Sequence, residues 1–315
     1  MSNIFTIKDK DNIKFSVFTL GCKTNQSESD NISRILTEKG FALVGLKDIP
    51  DFAIINTCTV TSATDRKVRQ LIRRIKNKSP DTKFVVTGCY TVFNNRFLSD
   101  NNMEFIVSND EKYKIPDLIF KIVKTGLAPF NISCNISDKL FSNNSFISDE
   151  IIVKKSYSNK HLDHFFHSRA LVKIQDGCEQ QCSYCIVPLV RGSYISIPVK
   201  KVINEISSLV GMGHEEIVIT GIHIGKYGID FNRSDNLSNL LDEILAKTTV
   251  KRIRLSSIEI NEIDKNLIKL INLSDGRVAR HLHIPLQSGS NRILKEMNRH
   301  YTREYFLDVI KDIKD

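Results

Sequence analysis

Three cysteines at the spacing C-x3-C-x2-C constrain this 315-residue chain more than any other feature. They lie in Gln175-Asp176-Gly177-Cys178-Glu179-Gln180-Gln181-Cys182-Ser183-Tyr184-Cys185, directly after the apolar run Ala170-Leu171-Val172-Lys173-Ile174. The run reads as a strand, which puts the cysteines on the loop leaving its C-terminal end. Thiolates this close in a reducing compartment bind metal more often than they pair. A closed zinc site or a fully ligated iron–sulfur cluster takes four such ligands, and no fourth cysteine lies nearby. Three thiolates on a four-iron cluster leave one iron open to another ligand. The competing reading is a small structural metal knot or three reduced thiols.

The N-terminal region repeats one pattern. Strands are expected over Lys14–Leu20, Phe52–Asn56 and Lys83–Thr87, running into Gly21-Cys22, Thr57-Cys58 and Gly88-Cys89. A fourth strand is expected over Glu104–Ser108. Helical patterns fill the intervals, over about Ser27–Lys39 and Ala63–Lys78, with a closing helix over Ile115–Thr125. Strand–helix alternation implies parallel strands with right-handed crossovers, whose C-terminal ends converge on one crevice. Cys22, Cys58 and Cys89 are therefore expected to meet as a second three-cysteine site. Any one of them alone would read as an inert core thiol. The helix after Cys58 carries Arg66, Lys67, Arg69, Arg73, Arg74, Lys76 and Lys78. These cations either hold phosphates or form a solvated face.

Between Phe130 and Tyr157 the apolar residues are interrupted by Asn and Ser, which reads as a connector containing the spare Cys134. The expected organisation is an N-terminal domain over 1–127, a linker over 128–166 and a second domain over 167–315. The second domain alternates again. Strands are expected over Glu216–Gly221, Arg252–Ser257 and His281–Leu286, with helices over about Pro198–Gly211, Leu237–Lys247 and Thr302–Lys314. Such βα units suggest part of a barrel with its site on the C-terminal strand ends. Gly221, His223 and Gly225 cluster there, as do Ser256, Ser257 and Glu259, and Gln287, Ser288 and Gly289. His281 and His283 fall within the expected strand and read as packing residues.

Charge narrows the partners. The chain has 45 basic and 36 acidic residues, a net of +9, which favours a polyanion. Met1 to Lys14 lacks a signal-peptide core, and no apolar run reaches membrane-spanning length. A cytoplasmic location without membrane association is expected, in agreement with seven cysteines that form no local disulfide framework.

These motifs resemble the radical S-adenosylmethionine (SAM) methylthiotransferases. The resemblance rests on Leu20-Gly21-Cys22-Lys23-Thr24-Asn25-Gln26, Asn56-Thr57-Cys58-Thr59-Val60-Thr61 and Thr87-Gly88-Cys89. It continues in the Cys178 loop, Arg191-Gly192, Arg254-Leu255-Ser256-Ser257-Ile258-Glu259 and His283-Ile284-Pro285-Leu286-Gln287-Ser288-Gly289. Leu20-Gly21-Cys22-Lys23 with Asn25-Gln26, and Ser256-Ser257-Ile258-Glu259, are most similar to the branch acting on N6-threonylcarbamoyladenosine in tRNA. The resemblance implies an α/β chain, with an N-terminal parallel-sheet domain followed by an incomplete radical-SAM (β/α) barrel. It implies that Cys178, Cys182 and Cys185 hold the 4Fe–4S cluster that cleaves SAM, giving a radical that abstracts hydrogen from C2 of adenosine 37 in the anticodon loop. Cys22, Cys58 and Cys89 would hold an auxiliary 4Fe–4S cluster presenting sulfur, and a second SAM would give the methyl group. Tyr184, Arg191, Gly221, Ser256, Glu259 and Gln287 are the implied SAM-pocket residues. The implied partners are tRNA and an electron donor such as flavodoxin or ferredoxin. Other substrates within the family are an isopentenyladenosine tRNA and a ribosomal protein; an inactive iron–sulfur fragment is the reading from outside it. The sequence departs from the family in Ser193-Tyr194-Ile195-Ser196 and in Tyr90-Thr91. Ending at Asp315, it is also expected to lack later barrel strands and an RNA-binding domain.

Overall fold

Phe52-Ala53-Ile54-Ile55-Asn56-Thr57 is buried at every position, as a strand covered on both faces must be, and such strands belong to parallel sheets flanked by helices. The computed structural model describes residues 13–45, 48–58, 62–93, 98, 103, 105–125, 169–231 and 235–314. The expected linker over 128–166, with Cys134, lies outside the described residues, and so do Thr59, Val60 and Thr61. The described residues divide into two compact units. Leu20–Glu28 and Cys58–Asp65 group with the residues from Ser168 onward in the second unit, and the remaining N-terminal residues form the first.

The first unit is built on β1 (Lys14–Thr19), β2 (Ala42–Leu43), β3 (Phe52–Thr57), β4 (Lys83–Gly88) and β5 (Phe105–Ile106). They form one sheet in the order β2-β1-β3-β4-β5, and every pair is parallel. The helices are α1 (Lys23–Glu38) and α2 (Ser62–Lys78), which belong to this unit from Ser29 and Arg66 onward, the single turn α3 (Tyr90–Phe93) and α4 (Ile115–Thr125). Phe15, Phe52, Ile54 and Val85 share one cluster with Ile32 and Leu36 of α1 and Ile115, Leu118, Ile119 and Ile122 of α4. The alternate residues Ala53, Ile55 and Val86 face the other way and are equally buried, as are Val68, Ile72 and Ile75 of α2. The expected strands and helices are all present, though the fourth strand contracts to two residues. The two-residue β2 carries no periodicity long enough to read.

The second unit contains β6 (Ala170–Asp176), α5 (Val187–Arg191), β7 (Ile195–Ser196), α6 (Val199–Gly211) and β8 (Glu216–Gly221). It continues with α7 (Leu237–Lys247), β9 (Arg252–Leu255), α8 (Lys265–Leu273), α9 (Asn291–Glu296) and α10 (Arg303–Lys314). The sheet order is β7-β6-β8-β9; β6, β8 and β9 are parallel and β7 is antiparallel to β6. Side-chain caps start two helices: Asn236 Oδ1 accepts the Asn239 N–H at 2.9 Å and Asp264 Oδ1 accepts the Leu267 N–H at 2.7 Å. Val172, Ile174, Ile217, Ile219, Ile253 and Leu255 of the strands pack in one core with Val202, Ile206, Leu241 and Ile244 of the helices.

The strand expected over His281–Leu286 is not formed. This segment makes one isolated parallel bridge, Ser257 to His283, and Val278 makes another with Ile253. The reason is local: the His281 N–H turns back to the Ala279 carbonyl at 2.7 Å, and Pro285 has no N–H to give a ladder. His281 and His283 are exposed rather than packed, and His283 Nδ1 lies 2.7 Å from Ser257 Oγ. Among the described residues no helix is long and apolar enough to cross a membrane.

Glu216 stands at the start of β8 beside three arginines, with Arg254 Nε at 2.7 Å, Arg169 Nε at 3.3 Å and Arg252 Nη1 at 3.7 Å. The hydrogen bond from Arg254 and the surrounding positive charge hold its carboxyl below the usual glutamate range. A lowered folded-state value means a contribution present above the unfolded value and lost as pH falls through the folded one. Glu216→Gln should therefore unfold at lower urea than the parent at neutral pH, and lose less stability on acidification. Equal acid sensitivity in the two proteins would contradict this.

Candidate functional site

β6 delivers the three-cysteine loop, and Gln175 and Asp176 shape its first turn. The Gln175 side chain is fully buried. Its Nε2 donates to the Asp176 carbonyl at 2.5 Å and the Gly177 carbonyl at 2.8 Å, and its Oε1 accepts the His223 N–H at 2.7 Å. Asp176 Oδ1 accepts the Gly177 N–H at 2.8 Å. Gly177 has φ +70°, and a Cβ there would stand 1.7 Å from the Ser193 carbonyl oxygen, so only glycine fits. Beyond it the Cys178 N–H donates to the Gly192 carbonyl and the Cys185 N–H to the Cys182 carbonyl, both at 3.0 Å. Cys178, Cys182 and Cys185 are all free and half-buried.

Cys178 Sγ lies 3.4 Å from His223 Nδ1. Across the ring, His223 Nε2 is 2.7 Å from Glu262 Oε1, which Lys226 Nζ approaches to 3.4 Å. The His223–Glu262 approach is a close ionic contact and not an aligned hydrogen bond. Burial disfavours the charged imidazole, but the contacts with Cys178 and Glu262 outweigh it and raise the His223 pKa to about 9. Burial also opposes the Cys178 thiolate; the His223 contact overcomes it and brings the thiol below its ordinary value. At Cys182 burial wins and pushes the thiol up, with Arg299 acting the other way.

The other strand ends supply the rest of this edge. Gly221 closes β8, and a Cβ there would meet the Gln175 carbonyl oxygen at 2.9 Å. Ser256 follows β9; it is buried, and its Oγ has no hydrogen-bond partner. Gln287 is exposed at φ +63°. Tyr184 and Glu259 share one partner. Arg299 Nη1 lies 2.7 Å from Glu259 Oε1, Nη2 donates to the Tyr184 hydroxyl, and the guanidinium stands 5.6 Å from the Tyr184 ring centre. Arg191 sits behind the loop with its side chain only 1% exposed. It donates to Glu28 at 3.2 Å, Asp176 at 2.8 Å and Asn25 at 2.5 Å. Lys173 completes this group, 2.9 Å from Glu28 and 3.0 Å from Asp176.

The three N-terminal cysteines follow the ends of β1, β3 and β4, which are neighbours in their sheet. Gly21, at φ +141°, comes so close to Cys58 that a Cβ would stand 2.9 Å from its Cβ, and Cys22 Sγ is 3.6 Å from Asn25 Oδ1. Gly88, at φ +97°, lies against Thr57 in the same way, and the Cys89 N–H donates to the Thr57 carbonyl at 3.1 Å. Cys58 and Cys89 are buried and Cys22 is exposed.

The donor set fits an iron–sulfur cluster in kind: the 178–185 loop offers three thiols, none in a disulfide, and thiolates are the ligands such clusters take.

A model of an uncharacterized family, UPF0004, matches residues 14–108, and the Radical SAM superfamily model matches residues 172–315. A threonylcarbamoyladenosine tRNA methylthiotransferase MtaB of Aquifex aeolicus is 34% identical over 303 residues, covering 96% of this chain and 69% of the relative. The chain belongs to the radical-SAM methylthiotransferase family. A second methylthiotransferase, MtaB of Bacillus subtilis, is 36% identical over 298 residues, 94% of this chain and 62% of that protein. A tRNA-2-methylthio-N(6)-dimethylallyladenosine synthase of Natranaerobius thermophilus is 30% identical over 308 residues, 96% of this chain and 64% of that one. The chain thus spans between 62% and 69% of the length of these relatives. The radical SAM methyltransferase TsrM from Kitasatospora setae shares the fold at TM-score 0.60 and 14% identity, over 95% of this chain and 65% of that one. Membership implies a 4Fe–4S cluster and SAM as cofactors.

In this member of the family, Glu262, Arg299 and Glu28 were not singled out by the sequence, and Asn25 entered only as part of the Cys22 motif. Glu28 carried a faint signal as a polar residue on the helix after Cys22; Arg299 lies 114 residues beyond Cys185 in a stretch with no motif of its own. Replacing Cys178, Cys182 and Cys185 with alanine is expected to remove about half the iron of the anaerobically reconstituted chain and all SAM cleavage. Near-full iron in that variant would show that these thiols are not ligands.

Proposed function

We propose that this chain is a tRNA methylthiotransferase that adds a methylthio group at C2 of N6-threonylcarbamoyladenosine 37. The observation that carries the reading is that Cys22, Cys58 and Cys89 each follow a parallel strand within three residues, while the loop leaving the strand Ala170–Asp176 carries Cys178, Cys182 and Cys185. The similarity to two MtaB proteins at 34% and 36% identity supports this substrate over the dimethylallyl one.

Cys178, Cys182 and Cys185 would hold the first 4Fe–4S cluster, and Cys22, Cys58 and Cys89 the second. Bound there, the clusters and SAM supply the radical chemistry and the inserted sulfur. The chain's own residues prepare the site. Gln175 and Gly177 set the loop's exit from β6, and His223 bonds Cys178 from its buried side. Gly221 leaves the strand edge bare, and the Ser256 hydroxyl is free to bond a ligand in an otherwise dry position. Tyr184, Glu259 and Gln287 line the same edge, and Arg191 acts from behind by holding Asp176. Exposed Arg66, Lys67, Arg73 and Arg74 on α2 offer phosphate contacts for tRNA. Electrons come from a reduced flavodoxin- or ferredoxin-type donor, and the setting is the cytoplasm.

Mass spectrometry of tRNA nucleosides from cells with and without the gene tests the substrate. Loss of the 2-methylthio form of threonylcarbamoyladenosine is expected; loss of the dimethylallyl counterpart instead would move the chain to that branch, and unchanged nucleosides would reject both. Changing Cys22, Cys58 and Cys89 to alanine should leave 5′-deoxyadenosine formation measurable while ending methylthiolation. A variant that still modifies tRNA would make these cysteines structural only.

A further inference from the structure

The loop that carries Cys178, Cys182 and Cys185 is held at its far half by residues 296–299. The Ser183 N–H donates to the Met297 carbonyl at 3.3 Å, Ser183 Oγ donates to the Glu296 carbonyl at 2.8 Å, and Asn298 Nδ2 donates to the Gln181 carbonyl at 2.7 Å. Asn298 has φ +55°, a left-handed turn that asparagine tolerates, and it reverses the chain at the end of α9. The turn is anchored on both sides. The Arg299 N–H donates to the carbonyl of buried Leu294 at 2.9 Å, and the hydroxyl of Tyr301 donates to the Leu286 carbonyl at 2.8 Å.

Arg299 leaves this turn with its guanidinium clamped. Nη1 is fixed by Glu259 and Nη2 by the Tyr184 hydroxyl, with the ring of Tyr184 beneath it. Its side chain is 11% exposed. A guanidinium satisfies both partners in one plane and stays charged, which a lysine ammonium cannot reproduce. Through the Tyr184 hydroxyl the guanidinium is tied to the residue next to Cys185, so the cation stands at the cysteine loop.

We propose that Arg299 is a positioning residue of the cluster site: it fixes Tyr184 and the loop's second half, and its charge favours the reduced cluster. The proposal rests on the reading that Cys178, Cys182 and Cys185 hold a 4Fe–4S cluster. Three thiolates around such a cluster make its site negative, and reduction adds a further electron. A fixed cation beside it therefore favours reduction, as nearby charge and hydrogen bonds do for clusters generally.

The test uses the full chain with Cys22, Cys58 and Cys89 changed to alanine, so that the signal comes from one loop. Iron per chain and the midpoint potential, followed by electron paramagnetic resonance, are measured for this parent and for Arg299→Met, Arg299→Lys and Glu259→Gln. The expected result is a more negative potential in Arg299→Met, partial recovery in Arg299→Lys, and a more positive potential in Glu259→Gln, which keeps the cation and removes its counter-charge. A purely structural Arg299 would lower thermal stability without this reversal of sign. If Arg299→Met fails to hold iron, the Arg299→Lys and Glu259→Gln shifts decide. Potentials unmoved in an iron-loaded parent series overturn the proposal alone. A parent without iron overturns the cluster reading together with it.

Discussion

The functional edge of the second unit depends on the buried amide of Gln175. One side chain bonds the carbonyl of Asp176 at the end of its own strand, that of Gly177 just beyond it, and the N–H of His223 after the neighbouring strand. A glutamine at this point satisfies three backbone groups that could not reach one another through a sheet ladder, because the β6–β8 register shifts between Lys173 and Gln175. Burying an amide is tolerated only when its hydrogen bonds are made. Here they also set the direction in which the cysteine loop leaves and the position of the histidine that faces Cys178. Gly221 then has to be bare, since its neighbour is the Gln175 carbonyl itself.

Behind the loop, buried Arg191 and Glu28 and half-buried Lys173 and Asp176 form a group of two cations and two carboxylates. Burial opposes the charged form of both Lys173 and Asp176. The opposite charges prevail, so the lysine is held above and the aspartate below its usual range. Such a group contributes little net stability over an apolar packing, but removing one member leaves an uncompensated charge and is costly. Its consequence is positional. Asp176 adjoins Gly177 and accepts its N–H, while Asn25, bonded to the same arginine, faces Cys22. The cysteine loop is thus positioned by these polar groups, and the apolar core sets the strands that carry them.

Much of the fold was legible because its signals are local. The buried run of β3 and the i, i+3, i+4 pattern of α2 each show within a dozen residues, whereas α8, which starts at its Asp264 cap, was passed over. β7 was not legible: two residues, Ile195 and Ser196, pair antiparallel to the end of β6 without any alternation. The strand expected at His281–Leu286 failed for a related reason. Its apolar pattern is adequate, but a proline and a backbone that turns on itself leave only single bridges.

By itself the sequence determined where the thiols stand: the cysteine spacing, the glycines before Cys22, Cys89 and Cys178, and the placement of Cys22, Cys58, Cys89 and Cys178 just after strands. These follow from residue type and short spacing, which chain connectivity alone preserves. Only the tertiary structure decided which side chains surround them. Glu262 meets His223 from another loop, and Arg299 meets Tyr184 from 115 positions and Glu259 from 40 positions further along the chain. Arg191, expected in the cofactor pocket, turns instead toward Glu28, Asp176 and Asn25. A charged side chain pairs with whatever opposite charge the packing of distant strands leaves within reach, and no local pattern encodes that choice.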